Sequence, residues 1–164
     1  MPRIPEDQQL VPSVLDRLLD DEPENSREPS KSRHQVLREL KQSVSRDLEN
    51  LLNSRCCCTH WPPDLGDLEE SLVSYGIPDF SGANFGSTES REQLREIVED
   101  VIRKFEPRFK SVNVKLLGNI DRTDRRLRLR IDALMYAEPA PEPVVFDSQL
   151  EPVSGSFAVA GGAA

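Results

Sequence analysis

A carboxylate and a guanidinium flank a proline at Glu106, Pro107 and Arg108 of the 164-residue chain. Few other stretches place side chains that could carry out chemistry so close together. Proline lacks a backbone N–H and pushes the preceding residue out of the helical region, so Pro107 fixes a rigid corner. A carboxylic acid here could serve as the proton donor of a glycosidase. The alternatives are a solvated ion pair of little energetic value and a preformed charged plug that docks into a partner protein.

The glycosidase hypothesis requires a second carboxyl group, for which Asp121 and Asp132 are the candidates. The sequence does not set the distance of either one from Glu106. Arg108 favours the charged form of the neighbouring carboxylate, whereas a proton donor must hold its proton near neutral pH. Aromatic residues, which would stack on sugar rings, make up 5% of the chain. We therefore predict that the chain has no catalytic residues.

Three consecutive cysteines, Cys56, Cys57 and Cys58, lie close to His60 and could suggest a zinc site. Structural zinc sites usually draw their ligands from two separated knuckles, and the sequence contains no second one. An odd number of cysteines in one cluster is also not a disulfide framework and is typical of a reducing compartment. We predict no metal site and no cofactor.

Helical patterns precede the corner and strand patterns follow it. Apolar residues recur at helical spacing over 35–53 and from a cap at Ser87 or Thr88 to Glu106, with charges such as Asp47 and Glu49 on the solvent side. A shorter helix is predicted at 67–75, with Leu68, Leu72 and Val73 facing inward. Strands are predicted at 111–120, 126–136, 144–150 and 157–159, and the prolines of 138–143 argue against a central strand there. These elements predict an α+β fold with two long helices packed on an antiparallel sheet of three or four strands.

The expected domain organisation has three parts. Residues 1–33 form a flexible N-terminal arm with a short helix at 13–19 followed by a linker, 34–159 form the domain, and 160–164 form a tail. The short helix either docks on a partner or folds back on its own domain, and the sequence does not decide between them.

Charge and hydropathy exclude several classes of function. The net charge is -8 and the sequence pI is about 4.9, which argues against nucleic acid as a partner. Arg126, Arg128 and Arg130 share one strand face, but no aromatic residues interleave with them to stack on bases. No apolar run approaches the roughly 20 residues of a membrane helix, and the polar N-terminus is unlike a secretory signal. We therefore expect a cytoplasmic protein with no direct membrane insertion.

Five motifs occur in one order along the chain, and together they resemble a known family. They lie at 12–18, 45–53, 75–80, 106–108, and 130–134 followed by 141–147. The chain resembles the baseplate wedge family of contractile phage tails, often called lysozyme-like, and within it the TssE subunits of type VI secretion baseplates.

The resemblance implies a structural subunit that links the baseplate wedge to the contractile sheath. The implied partners are two larger wedge subunits, TssF-like and TssG-like, and the first sheath ring of TssB/TssC-like subunits. It also implies assembly at the inner face of the cytoplasmic membrane through the baseplate. The wedge contact carries over onto Glu106, Pro107 and Arg108. An open sheet edge would meet the sheath by strand addition, and we expect the sheath-facing strands to include Val144, Phe146, Phe157 and Val159. The alternative function is a peptidoglycan-cleaving glycoside hydrolase with Glu106 as its acid.

Overall fold

The computed structural model describes residues 14–18, 32–56, 68, 71–80, 85, 87–118, 126–137, 140–152 and 154–161. Its helices are α1 (Val14–Leu18), α2 (Arg33–Asn53) and α3 (Thr88–Phe105), and a 3-10 turn spans Leu72–Ser74. Its strands are β1 (Phe109–Leu117), β2 (Leu127–Met135), β3 (Glu142–Glu151) and β4 (Ser156–Gly161).

Both long helices begin at serine caps. The Ser32 hydroxyl accepts from the backbone N–H of Gln35, and the Gln35 side chain accepts from the Ser32 N–H at 2.8 Å, which completes a capping box. The Ser87 hydroxyl accepts from the Ser90 N–H at 3.1 Å. The α2 helix therefore starts two residues before the predicted position, and Ser87, one of the two residues predicted to cap α3, is its cap.

The sheet has the order β1-β2-β3-β4, and every neighbouring pair is antiparallel. Strand side chains alternate between its two faces, and one face is buried. In β2 the buried positions are Leu127, Leu129, Ile131, Ala133 and Met135. This face and the apolar stripes of α2 and α3 form one core. The predicted α+β fold is confirmed.

Each long helix lies beside one edge of the sheet. The α3 helix packs mainly against β1, whereas α2 packs mainly against β4. The apolar side of α2 consists of Leu40, Val44, Leu48, Leu51 and Leu52. The two helices therefore cover the core face of the sheet from its two opposite edges.

Two predicted elements differ from the structure. Leu72 and Val73 lie in a 3-10 turn rather than a helix, and they are exposed at 85% and 47% rather than facing inward. Pro143 lies inside β3. It is tolerated because β4 pairs with β3 only from Phe146 to Glu151, so at Pro143 the strand has a neighbour on one side only.

Other predictions concern the short first helix, the end of β4, individual side chains and membrane-spanning segments. The α1 helix lies within the predicted 13–19, and its Val14, Leu15 and Leu18 side chains are exposed. Strand β4 continues through Gly161, inside the predicted tail. Asp121, Cys57, Cys58 and His60 lie outside the described residues. Among the helices in the described ranges, none has the length and apolar composition needed to cross a membrane.

Candidate functional site

The Glu-Pro-Arg corner, which we define as Glu106, Pro107 and Arg108, joins α3 to β1 through a tight turn. The Glu106 N–H donates to the Ile102 carbonyl at 2.9 Å and closes the helix. The Glu106 carbonyl accepts from the Phe109 N–H at 3.2 Å, which places Pro107 second in a four-residue turn. Proline suits this position because its fixed φ matches the turn. Pro107 itself is exposed at the tip of the corner.

The carboxylate of the corner points inward, where the cation beside it binds both of its oxygens. Glu106 is 5% exposed. Arg108 Nε donates to Glu106 Oε1 at 2.6 Å, and Arg108 Nη2 donates to Glu106 Oε2 at 2.5 Å. The Arg108 backbone N–H also donates to Oε1, at 3.2 Å. Such two-point pairing is the geometry in which guanidinium and carboxylate interact most strongly.

A third charged residue reaches the corner from α2. Arg108 Nη2 also donates to Asp47 Oδ2 at 2.7 Å, so one guanidinium joins α2 to the turn after α3. We call Asp47, Glu106 and Arg108 the Arg108 network. Burial disfavours the Arg108 cation, but hydrogen bonds and attraction from Glu106, and then from Asp47, outweigh that effect and raise its pKa above the usual range.

The segment around the 3-10 turn closes one side of the corner. The rings of Tyr75 and Phe105 meet edge to face, with their centroids 5.3 Å apart. Burial raises the pKa of the Tyr75 phenol, and the carboxylates of Asp47 and Glu106 raise it further. Tyr75 thus lies within the electrostatic reach of the Arg108 network.

This arrangement does not resemble the acid pair of a glycosidase. Both Glu106 oxygens already accept hydrogen bonds from a cation. Asp132, the one of the two candidate second acids that the structure describes, lies on β2 and accepts from Lys115 Nζ at 2.7 Å and from Arg130 Nε at 3.1 Å. A carboxylate held by two cations is stabilised in its charged form, whereas a proton donor must carry a proton near neutral pH.

Asp132 is expected to titrate below its usual pKa of 3.8. The hydrogen bond from Lys115 lowers the pKa most, partial burial opposes it, and the bond from Arg130 lowers it further. Because the folded pKa is depressed, the stabilisation is present above pH 3.8 and is lost as the pH falls through the folded pKa. An NMR titration of the carboxyl carbon measures this, and Lys115→Met should move the midpoint upward. A wild-type midpoint at or above 3.8 would contradict the ion pairing.

No cluster of three or more metal-binding side chains occurs within the described ranges. The Cys56 thiol lies 3.8 Å from the Val73 carbonyl, to which it donates a weak hydrogen bond. The described part of the cysteine cluster therefore contacts the 3-10 turn.

The edge of β4 is held by polar side chains of α2. Asn53 donates to the Phe157 carbonyl at 2.8 Å and accepts from the Phe157 N–H at 2.9 Å. Glu49 accepts from the Val159 N–H at 3.0 Å, and Ser45 donates to the Val159 carbonyl at 3.3 Å. Because Ser45, Glu49 and Asn53 are spaced four apart, they follow one another along a single face of the helix. We call these three side chains the α2 clasp.

The β1 edge has a similar arrangement. Glu99 of α3 accepts from the Val114 N–H at 3.1 Å, and the same carboxylate pairs with Arg95 at 2.8 Å and Arg103 at 2.5 Å. Each outer strand therefore donates an N–H to a glutamate of the neighbouring helix. Such coverage protects sheet edges from unwanted pairing.

The four residues expected on sheath-facing strands have their side chains in the core. Val144, Phe146, Phe157 and Val159 are 1%, 0%, 3% and 9% exposed. Strand β3 is paired with β2 along most of its length and with β4 from Phe146 to Glu151, so it is internal over that part. Alternation along β3 and β4 turns these side chains towards the helices. Strand addition uses backbone groups, so the expectation that these strands face the sheath stays a prediction.

Sequence reasoning missed the roles of Asp47, Glu49 and Asn53. The apolar stripe of α2 predicts that Asp47 and Glu49 face solvent, but in the structure they bind Arg108 and the β4 backbone. Their partners are 61 and 110 residues away, so no local pattern indicated the contacts. The one available signal was the run of polar residues four apart along α2.

Comparison with known proteins gives a family match over residues 38–140, to the family described as baseplate wedge protein gp25. No curated protein gives a significant match. A solved chain from a structure entitled "The baseplate complex from the type VI secretion system" is similar at 19% identity, with a TM-score of 0.49 over 70% of this chain and 97% of that chain. The family match spans most of α2, all of α3, the Glu-Pro-Arg corner and the β1–β2 hairpin. Because it covers more than half of the sequence, the chain belongs to the baseplate wedge protein gp25 family.

Proposed function

We propose that the chain is a structural subunit of a type VI secretion baseplate that links the wedge to the contractile sheath. The observation that carries the proposal is the family match over residues 38–140, which includes the Glu-Pro-Arg corner. The order of the five sequence motifs supports the assignment to the type VI members of the family. The expected site of assembly is the inner face of the cytoplasmic membrane, reached through the baseplate.

The Glu-Pro-Arg corner is the proposed contact with the TssF-like and TssG-like wedge subunits. Its tip, Pro107, is exposed, and the Arg108 side chain is 24% exposed. The Arg108 network ties the corner to α2, so it is held in place before a partner arrives. Preorganisation of this kind lowers the ordering cost of binding.

The proposed sheath contact lies at β4. Of the two predicted sheath-facing strands, β3 and β4, it is the one at the edge of the sheet. The outward N–H and carbonyl groups of Phe157 and Val159 are already bonded to the α2 clasp. Addition of a sheath strand at this edge therefore requires the clasp to open. A contact with the polar outer side of α2 and β4 would leave the clasp in place. There, Gln42, Arg46, Asn50 and Gly161 help to line a hollow of about 310 Å³.

We further propose that the chain is not an enzyme. Glu106 is committed to Arg108, and Asp132 is committed to Lys115 and Arg130. The roles available to these carboxylates are structural, which favours the assembly function over the alternative peptidoglycan hydrolase.

Affinity capture from cells that assemble the secretion system separates the two functions. The tagged chain should recover wedge and sheath subunits, and the purified chain should release no peptidoglycan fragments above a Glu106→Gln control. Capture of neither subunit class, together with peptidoglycan release that Glu106→Gln abolishes, would favour the hydrolase.

A further inference from the structure

The Leu72–Val73 turn, formed by these two residues of the 3-10 segment, displays two apolar side chains to solvent. Leu72 is 85% exposed and Val73 is 47% exposed. Single exposed apolar residues are common on protein surfaces and need no explanation. Here, however, two occur together on a turn that is held in place from several sides.

Hydrogen bonds fix the conformation of this turn. Ser71 caps it by accepting from the Val73 N–H at 3.3 Å, and the Tyr75 N–H donates to the Leu72 carbonyl at 3.2 Å. Behind it, Ile77 exchanges backbone hydrogen bonds with Ser54 at 3.0 Å and Cys56 at 2.9 Å, at the end of α2. The apolar side chains are therefore presented by an ordered segment.

Behind the turn, the backbone at Gly76 approaches the end of α2 so closely that only glycine fits. Gly76 has φ +102°, and an added Cβ would lie 2.5 Å from the Ser54 carbonyl oxygen. Only glycine accommodates both the conformation and the approach. The turn is thus joined tightly to α2, the helix that supplies Asp47 to the Arg108 network.

The segment that carries the turn also contacts the end of α3, next to the Glu-Pro-Arg corner. Lys104 Nζ lies 3.4 Å from the Ser74 hydroxyl, and Tyr75 packs its ring against Phe105, the residue before the corner. The Leu72–Val73 turn and the corner are therefore neighbours on the surface at the end of α3.

The charges beside the turn balance in sign. Arg108 is paired with Glu106 and Asp47, which leaves one negative charge, and the Lys104 ammonium, 5.2 Å from the centroid of the Phe105 ring, adds one positive charge. On a chain with a net charge of -8, this patch combines apolar side chains with balanced charges. Its chemistry matches an apolar pocket and gives little attraction to a strongly charged surface.

We propose that the Leu72–Val73 turn inserts into an apolar pocket of the wedge subunit that contacts the Glu-Pro-Arg corner, so that one continuous surface makes both contacts. This inference rests on the proposed function. Continuity with the corner selects the wedge subunit over two other occupants, the apolar side of α1 and a second copy of this chain.

The test is capture of co-expressed wedge subunits by Leu72→Asp, Leu72→Met and Leu117→Asp. Leu117 is the matched control, since it is a 40% exposed leucine at the far end of β1 from the corner. Leu72→Asp should weaken capture by more than about tenfold, because transfer of a leucine from water to a pocket favours binding by at least that factor. Leu72→Met and Leu117→Asp should match the wild type, and all three should keep its melting temperature.

Wild-type capture by Leu72→Asp would overturn the inference and leave the proposed function standing. A melting temperature several degrees lower for Leu72→Asp would overturn it in favour of packing against the chain's own α1. A wild-type dimer that Leu72→Asp converts to a monomer would overturn it in favour of a second copy. A wild-type chain that captures no wedge subunit would overturn the proposed function as well.

Discussion

Replacing Arg108 with methionine is expected to lower the free energy of unfolding by about 3 kcal/mol, because it leaves a buried carboxylate without its cation. Glu106 is 5% exposed and loses the donor to both of its oxygens. Asp47 loses the same partner. Because Arg108 is itself 24% exposed, the expected cost lies at the lower end of the range for broken buried pairs. Urea denaturation of the purified chain measures it.

Two further variants separate the ion pair from general damage. Arg103→Met removes a 57% exposed arginine that pairs with Glu99 and Asp100, and it should cost less than about 1 kcal/mol. Adding Glu106→Gln to Arg108→Met removes the stranded charge and should restore part of the lost stability. If Arg108→Met were as stable as Arg103→Met, the Arg108 network would not hold α2 to the corner.

The fold could be predicted largely from local patterns. Leu94, Val98 and Ile102 repeat at helical spacing and are all fully buried in α3. Alternation along 126–136 predicted β2 and the side of it that faces the core. Such periodic signals are strong because several positions in one segment show the same alternation between core and solvent.

The candidate site could be predicted only in part. Pro107 fixed the end of α3 and the position of the corner from sequence alone. The link between the corner and α2 could not be predicted, because Asp47 is 61 residues away from Arg108. The α2 clasp on β4 was missed for the same reason, since Asn53 and Phe157 are 104 residues apart. The spacing of Ser45, Glu49 and Asn53 shows a polar side of α2, but it does not identify the strand that this side contacts.

The structure also changes which residue best tests partner binding. Variants of Glu106 or Arg108 alter the fold and the surface together, so loss of assembly would have two explanations. Pro107 is exposed, and its ring makes the tip of the turn. It therefore offers a change at the proposed contact that leaves the Arg108 network in place.

Pro107→Asp is expected to leave the domain folded and to weaken wedge binding by about thirtyfold or more. Aspartate suits a tight turn, so the cost to folding should be at most about 1 kcal/mol, chiefly through the greater freedom of the unfolded chain. At a contact that excludes water, an added unpaired charge should cost at least about 2 kcal/mol of binding, which gives the thirtyfold factor. Urea denaturation and binding titration against purified wedge subunits measure the two effects.

Titration of purified wedge subunits with wild-type, Pro107→Asp and Leu117→Asp chains tests whether the Glu-Pro-Arg corner is the wedge contact of a baseplate subunit. Wild-type and Leu117→Asp chains should bind equally, and the folded Pro107→Asp chain should bind at least about thirtyfold more weakly. A folded Pro107→Asp chain with wild-type affinity would show that the corner is not the wedge contact.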